Sequence, residues 1–279
     1  VKFSKLTIII ILLFFVKIYS QKKYIVNHEN GKIKIEGYIT ANTFDSIYKE
    51  YYNTGILKIE GVYKNCEYKT NHKGIYIVGC GVESNLDTIK FGKKQGVWKT
   101  YYENGKLSLC SNFHCGIIQG NQFSYDINGK LESIEFYNEG HLMYSQDFNS
   151  SGIVIKTSSY EYKFGKNENF KKINSFEFYD NGDLKSNQTI EGNPEKEDET
   201  FKEYYSNGFL KLEKHTINGN KLGIYREYYE NGNVKYEGLF KDNNPLKKQY
   251  FYNENGSISK IESWKNNKLV KTQILDNKS

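Results

Sequence analysis

A chain of 279 residues that is only 38% hydrophobic, with 25 tyrosines, 24 glycines and two prolines, cannot fill a thick aliphatic core. Its apolar surface is largely aromatic, which suits strands, and its turns must rest on Asn-Gly chemistry and not on proline. The net charge of +6 falls to +3 once Lys2, Lys5 and Lys17 are set aside, and stretches such as "PEKEDETFKE" intersperse both signs, which disfavours nucleic acid as a partner.

The first twenty residues read as an export signal. Lys2 and Lys5 form a basic start, Leu6 to Val16 is an apolar run too short to span a bilayer, and Ser20 is a small residue where a cut would fall. Cleavage and retention as an N-terminal anchor both stay open. Either way the expected location is outside the cytoplasm: periplasm, cell surface or extracellular. A partial motif, "ENGKI" at Glu29 to Ile33, then opens a series of repeats.

With the turn glycine as origin, full copies fall at Gly55, Gly105, Gly129, Gly152, Gly182, Gly208, Gly232 and Gly256, spaced by 50, 24, 23, 30, 26, 24 and 24 residues. A recurring period near 24 is the mark of an array. Four positions before the glycine every copy is aromatic (Tyr51, Tyr101, Tyr125, Phe148, Phe178, Tyr204, Tyr228, Tyr252). Two positions after it every copy is aliphatic (Leu57, Leu107, Leu131, Val154, Leu184, Leu210, Val234, Ile258). A three-residue loop closed by a left-handed glycine sets these two columns directly opposite each other. The expected fold is therefore all-β: an elongated array of antiparallel β-hairpin repeats, period about 24 residues, forming a continuous twisted sheet.

The strict aromatic column is expected to run along the packed side, as cross-strand pairs with the aliphatic column. The next position is looser, with Tyr52, Tyr102, Tyr179, Tyr205 and Tyr229 in five copies. Alternation along a strand sends these to the second face, where they are optional for folding and available as a row of binding rings. The organisation read from these signals is an export signal at 1–20, an N-terminal segment with the partial repeat at 21–47, repeats at 48–268 and a C-terminal tail at 269–279. Residues 65–90 form an irregular insertion or a degenerate repeat, and the Lys- and Asn-rich end serves as a polar cap.

Chemistry is sparse. The five histidines are scattered, and no nucleophile elbow, zinc helix, Walker loop or dinucleotide fingerprint is present, so the chain is read as non-enzymatic, without a cofactor. Cys66, Cys80, Cys110 and Cys115 allow three disulfide pairings, which stay open; "CSNFHC" lacks the spacing of a zinc site. The acidic run Glu191 to Glu199 lacks calcium-loop spacing and reads as a solvated loop.

The stretches "KLGIYREYYENGNVKYEGLFKDN" (Lys221 to Asn243), "GVWKTYYENGKL" (Gly96 to Leu107) and "TGILKIEGVYKN" (Thr54 to Asn65) resemble the bacterial variant of the MORN repeat. The resemblance implies an extended hairpin sheet that binds proteins or, in some members, phospholipid, and it carries no catalytic residues. Many such bacterial proteins are labelled antitoxins; an export signal fits an exported immunity protein better than a cytoplasmic antitoxin. The expected function is a scaffold binding a protein partner, such as a toxin, through Tyr52, Tyr102, Tyr179, Tyr205 and Tyr229. The alternative is a glycan or envelope polymer stacked on the same rings. Membrane binding beyond the N-terminal anchor is not expected, given the small charge and the lack of a basic amphipathic helix.

Overall fold

The computed structural model describes residues 20–64, 90–164, 169–193 and 195–275. These form one 22-stranded sheet, with no helix among the described residues. All pairings are antiparallel except that of Lys90–Phe91, which runs parallel to Thr43 and Phe44. Sheet order follows chain order, beginning with Lys22–Asn27, Ile33–Thr40, Thr43–Tyr51 and Leu57–Lys64. It ends with Asn244–Tyr252, Ile258–Lys265 and Lys268–Ile274.

The expected turn is present at every repeat. Each turn glycine has φ between 79° and 90°, a region that residues with a Cβ rarely enter. In the Gly105 turn the Gly105 N–H donates to the Tyr102 carbonyl at 2.9 Å, and the Tyr102 N–H donates to the Lys106 carbonyl at 2.8 Å. The aromatic and aliphatic columns consequently pair one to one in all eight copies, from Tyr51 opposite Leu57 to Tyr252 opposite Ile258. Just beyond each such pair the ladder skips one residue. In the first full copy Tyr51 faces Leu57 but Glu50 faces Ile59, so Lys58 has no opposite number. That bulge turns Glu60, and not Ile59, to the face of Leu57.

Six of the other hairpin ends are two-residue turns with both residues at positive φ, among them Ala41-Asn42, Asn218-Gly219 and Asp242-Asn243. Their twist matches that of the strands they join.

Several boundaries differ from the sequence reading. Leu57–Lys64 pairs directly with Lys93–Tyr101, so the strands that flank the long spacing are neighbours in the sheet. Residues 65–89, read as an insertion or a degenerate repeat, lie outside the described residues, as do 1–19. The sheet starts at Lys22, within the segment assigned to the N-terminus, and Lys268–Ile274 is a strand and not a tail. Most of the acidic run is strand: Leu184–Asn193 and Lys196–Tyr204 carry it up to the turn at Glu195, with Glu191 opposite Asp198 and Ile190 opposite Glu199. The extra residues there lengthen strands. The same holds for Val154–Phe164 and Asn169–Phe178, which absorb the 30-residue spacing.

The packed side also differs. Phe44 (1% exposed), Trp98 (5%), Tyr48, Ile35 and Ile39 form the buried core, and register puts them on the face opposite Tyr51 and Leu57. The reason is the size of the residue across the ladder. Tyr48 faces Gly37 and Gly61, Trp98 faces Ser111, and Tyr225 faces Gly238. These small partners leave room for a ring to lie over the neighbouring strand, and a Cβ added at Gly61 would fall inside the Trp98 indole. Tyr63 meets Trp98 at 4.7 Å between ring centroids, and Phe91 stacks on Phe44 at 5.1 Å. The strict aromatics instead sit near the turns, half-buried, and the tyrosines among them carry hydroxyls that need polar partners.

Candidate functional site

One cross-strand row runs along the Tyr51 face through consecutive strands. It begins Glu36, Lys49, Glu60, Lys99, alternating in sign. It continues through Cys110, Phe123, Ile134, Gln146, Thr157, Phe176 and Asn187, which carry no charge. It then alternates again as Lys202, Glu213, Arg226, Glu237. Two zwitterionic ladders thus flank a neutral middle.

The ladders are tied to the strict tyrosines. Tyr51 donates to Glu36 Oε1 at 2.6 Å, Tyr101 to Glu60 Oε1 at 2.7 Å and Tyr228 to Glu213 Oε1 at 2.9 Å. Burial, reinforced by these carboxylates, pushes each of the three phenols up to about 12, so each is a neutral donor at physiological pH. Arg226 bridges two acids, with Nε 2.6 Å from Glu237 Oε2 and Nη1 2.9 Å from Glu213 Oε1. Burial raises Glu213, but the bonds from Arg226 and Tyr228 and the charges of Arg226 and Lys202 outweigh it and hold the carboxyl below its ordinary value. Half-exposed pairs of this kind add little stability; a regular array of them sets orientation and partner choice.

In the neutral middle, Phe136 (42% exposed) and Tyr144 (38%) face each other across adjacent strands, and Phe176 (40%) stands on the same face four strands from Phe123. Beside it is a shallow depression of about 290 Å³ lined by Asn187, Thr200, Lys202, His215 and Arg226 among others. Asn187 Oδ1 is buried there without a hydrogen-bond partner.

The looser tyrosines have a task in the fold. Each hydroxyl crosses to the next hairpin and donates to the carbonyl of its strict aromatic: Tyr52 to Tyr101, Tyr102 to Tyr125, Tyr179 to Tyr204, Tyr205 to Tyr228 and Tyr229 to Tyr252, all at 2.7–2.8 Å. Three of the rings also lie under lysines from the bulge position, Lys58, Lys211 and Lys235. The second tyrosine, expected from the sequence to be free for binding, thus makes a bond between hairpins wherever it occurs. The physical reason is reach: a ring leaving the strand at the turn spans to the adjacent hairpin and meets a main-chain carbonyl there. Turn asparagines do likewise, Asn104 Nδ2 donating to the Ile127 carbonyl at 2.8 Å while its Oδ1 accepts the Lys106 N–H.

Cys115 is disulfide-bonded and Cys110 is a free thiol; Cys66 and Cys80 lie outside the described residues. No cluster of three metal-ligating side chains occurs among the described residues.

The family model described as MORN repeat variant matches residues 44–65, 94–114 and 221–242. Among solved structures, this chain is similar to a TcdB2-TccC3-TEV crystal structure at 12% identity, covering 89% of this chain and 14% of that one, with a TM-score of 0.18. It is similar also to a Photorhabdus luminescens Tc holotoxin pore carrying a TccC3 mutation, at 10% identity over 86% of this chain and 13% of that one, with a TM-score of 0.19. At such scores the likeness concerns neither partner nor activity. No curated protein matches the chain. The three segments that the family model matches are hairpins of the sheet just described, so the likeness to MORN-variant units falls on three members of one hairpin array.

Proposed function

We propose that the Tyr51 face is a docking surface for a protein partner, with the neutral middle as its centre and the charge ladders as its rim. The observation that carries this reading is the shared face of Phe136, Tyr144 and Phe176, exposed at the midpoint of a row whose two flanks are charge-matched. Apolar centre and polar rim are the anatomy of protein interfaces, and aromatic side chains supply large contact area with few rotors to order. The scaffold acts without catalysis, outside the cytoplasm, in keeping with the export signal read at residues 1–20. Its finer form is an immunity-like role in which the partner is a toxin, as the repeat resemblance implies.

The test is capture from envelope extracts by the chain and by its Phe136→Asp/Phe176→Asp variant, read by mass spectrometry with glycan staining in parallel. A stoichiometric protein lost from the variant, whose circular dichroism is unchanged, supports the reading. Equal capture by both chains overturns it, and recovery of polysaccharide without protein replaces it with the glycan alternative.

A further inference from the structure

The charge rule of the Tyr51 face breaks at one end of the sheet. In both ladders a cation stands opposite a carboxylate: Lys49 between Glu36 and Glu60, Arg226 between Glu213 and Glu237. On the last three strands the same face shows Lys248 opposite Ser263, Ser263 opposite Lys271, and Lys265 directly opposite Lys268. Like charges in direct register destabilise a strand pair. Lys64 opposite Lys93 is the other such cation pair among the described residues, but it lies inside the sheet with strands on both sides.

Among the described residues the strand that carries these lysines is an edge. Lys268–Ile274 pairs only with Ile258–Lys265 among the described residues, and every one of its residues is exposed. Its other face presents Leu269, opposite Trp264, and Ile274, which at 71% is the most exposed large hydrophobic in the described chain. An edge of this kind offers a row of backbone donors and acceptors to an incoming strand.

We propose that this edge binds an extended acidic segment of a partner protein as an added strand. Acidic side chains of the segment stand beside Lys268 and Lys271, giving this end the alternation that the two charge ladders show, and its intervening apolar side chains cover Leu269 and Ile274. Charge selects against a second copy of this chain. Pairing of two Lys268–Ile274 strands sets lysines against lysines, and the opposite edge of the sheet, Lys22–Asn27, opens with Lys22 and Lys23. The lysines thus repel neutral and basic edges while attracting an acidic one, which is how discrimination is built.

The probe is a fluorescent ten-residue peptide alternating Glu and Val, against a Lys/Val peptide of the same length and a Glu/Val peptide broken by a central proline. Anisotropy is measured with the full chain, and amide exchange is followed at Lys268–Ile274. The expected result is binding of the unbroken Glu/Val peptide alone, weakened by salt, with slowed exchange along that strand. Lys268→Glu/Lys271→Glu is expected to weaken it on the order of tenfold or more. The variant keeps its fold because an acid at position 268 relieves the clash with Lys265. Equal binding of the Lys/Val peptide, absence of binding, unchanged exchange at Lys268–Ile274, or self-association through that strand would each overturn the proposal. Phe136→Asp/Phe176→Asp leaves this binding unchanged, so its outcome is independent of the docking face.

Discussion

The hydroxyl of Tyr102 donates to the main-chain carbonyl of Tyr125, 2.7 Å away on the next hairpin. Tyr101, its neighbour in sequence, turns to the other side and donates to Glu60 on the preceding hairpin at 2.7 Å. At the Gly55, Gly105 and Gly232 turns a tyrosine pair therefore stitches one repeat to both its neighbours. Stability in an array of this kind is a sum of repeat and nearest-neighbour terms, and these bonds belong to the second.

Removal of the forward stitch is expected to be measurable. Tyr102→Phe or Tyr229→Phe keeps the ring and leaves a carbonyl without its donor, which costs about 1 kcal/mol each. Tyr101→Phe removes the charge-assisted bond to Glu60, leaving Lys99 at 3.8 Å as its ion-pair partner, and costs about 1.5–3 kcal/mol. Urea unfolding monitored by circular dichroism checks both. A Tyr102→Phe variant as stable as the wild type would show that the forward stitch contributes nothing.

Gly61 is held open for the Trp98 ring. Its φ is ordinary, so strain in the backbone plays no part, and Gly61→Ala tests packing alone. Overpacking of this sort costs about 1–3 kcal/mol. Near-ultraviolet dichroism should lose the Trp98 signature in parallel with the drop in melting temperature; an unchanged melting temperature would mean that the ring moves aside freely.

The Glu213 carboxyl has a lowered pKa in the folded chain because Arg226 and Tyr228 bond it and overcome its burial. A lowered acid stabilises the fold above its unfolded pKa near 4.5 and loses that contribution as pH falls through the folded value. Glu213→Gln should therefore be less stable than wild type at neutral pH, and the gap should close below about pH 4.5. A gap that is constant from pH 7 to pH 3 would remove the charge from the explanation.

Asp147 has the opposite sign. Burial raises it, Lys156 opposes that and Glu135 adds to it. A raised acid burdens the fold at any pH above its folded value, and the burden lifts as the group protonates. Asp147→Asn is expected to raise the melting temperature at pH 7 and to be indistinguishable from wild type below about pH 3.8. Destabilisation at pH 7 would show that the carboxylate makes a contact worth more than its desolvation.

Much of the architecture was legible in the chain because the turn is local. Asn-Gly at a fixed distance from an aromatic and an aliphatic residue specifies a three-residue loop, and the loop dictates which residues pair; Tyr51 opposite Leu57 follows from seven consecutive positions. The second row of turns was less visible. Asn218-Gly219 carries the familiar two-residue signal, whereas Ala41-Asn42 and Asp242-Asn243 do so only weakly.

What the sequence by itself determined is the repeat, its turn and the pairing of the two strict columns. Which residues share a face was decided by the tertiary structure. Glutamates recur five positions after the turn glycine, at Glu36, Glu60, Glu213 and Glu237, and basic residues six before it, at Lys49, Lys99, Lys202 and Arg226. Simple alternation from Leu57 would send Glu60 to the face away from Lys49. The unpaired residue Lys58 shifts the ladder by one and brings the two together. A bulge is a property of two strands in register, and so is the carbonyl that receives the second tyrosine from a hairpin away. Both depend on neighbours that a single stretch of chain does not contain.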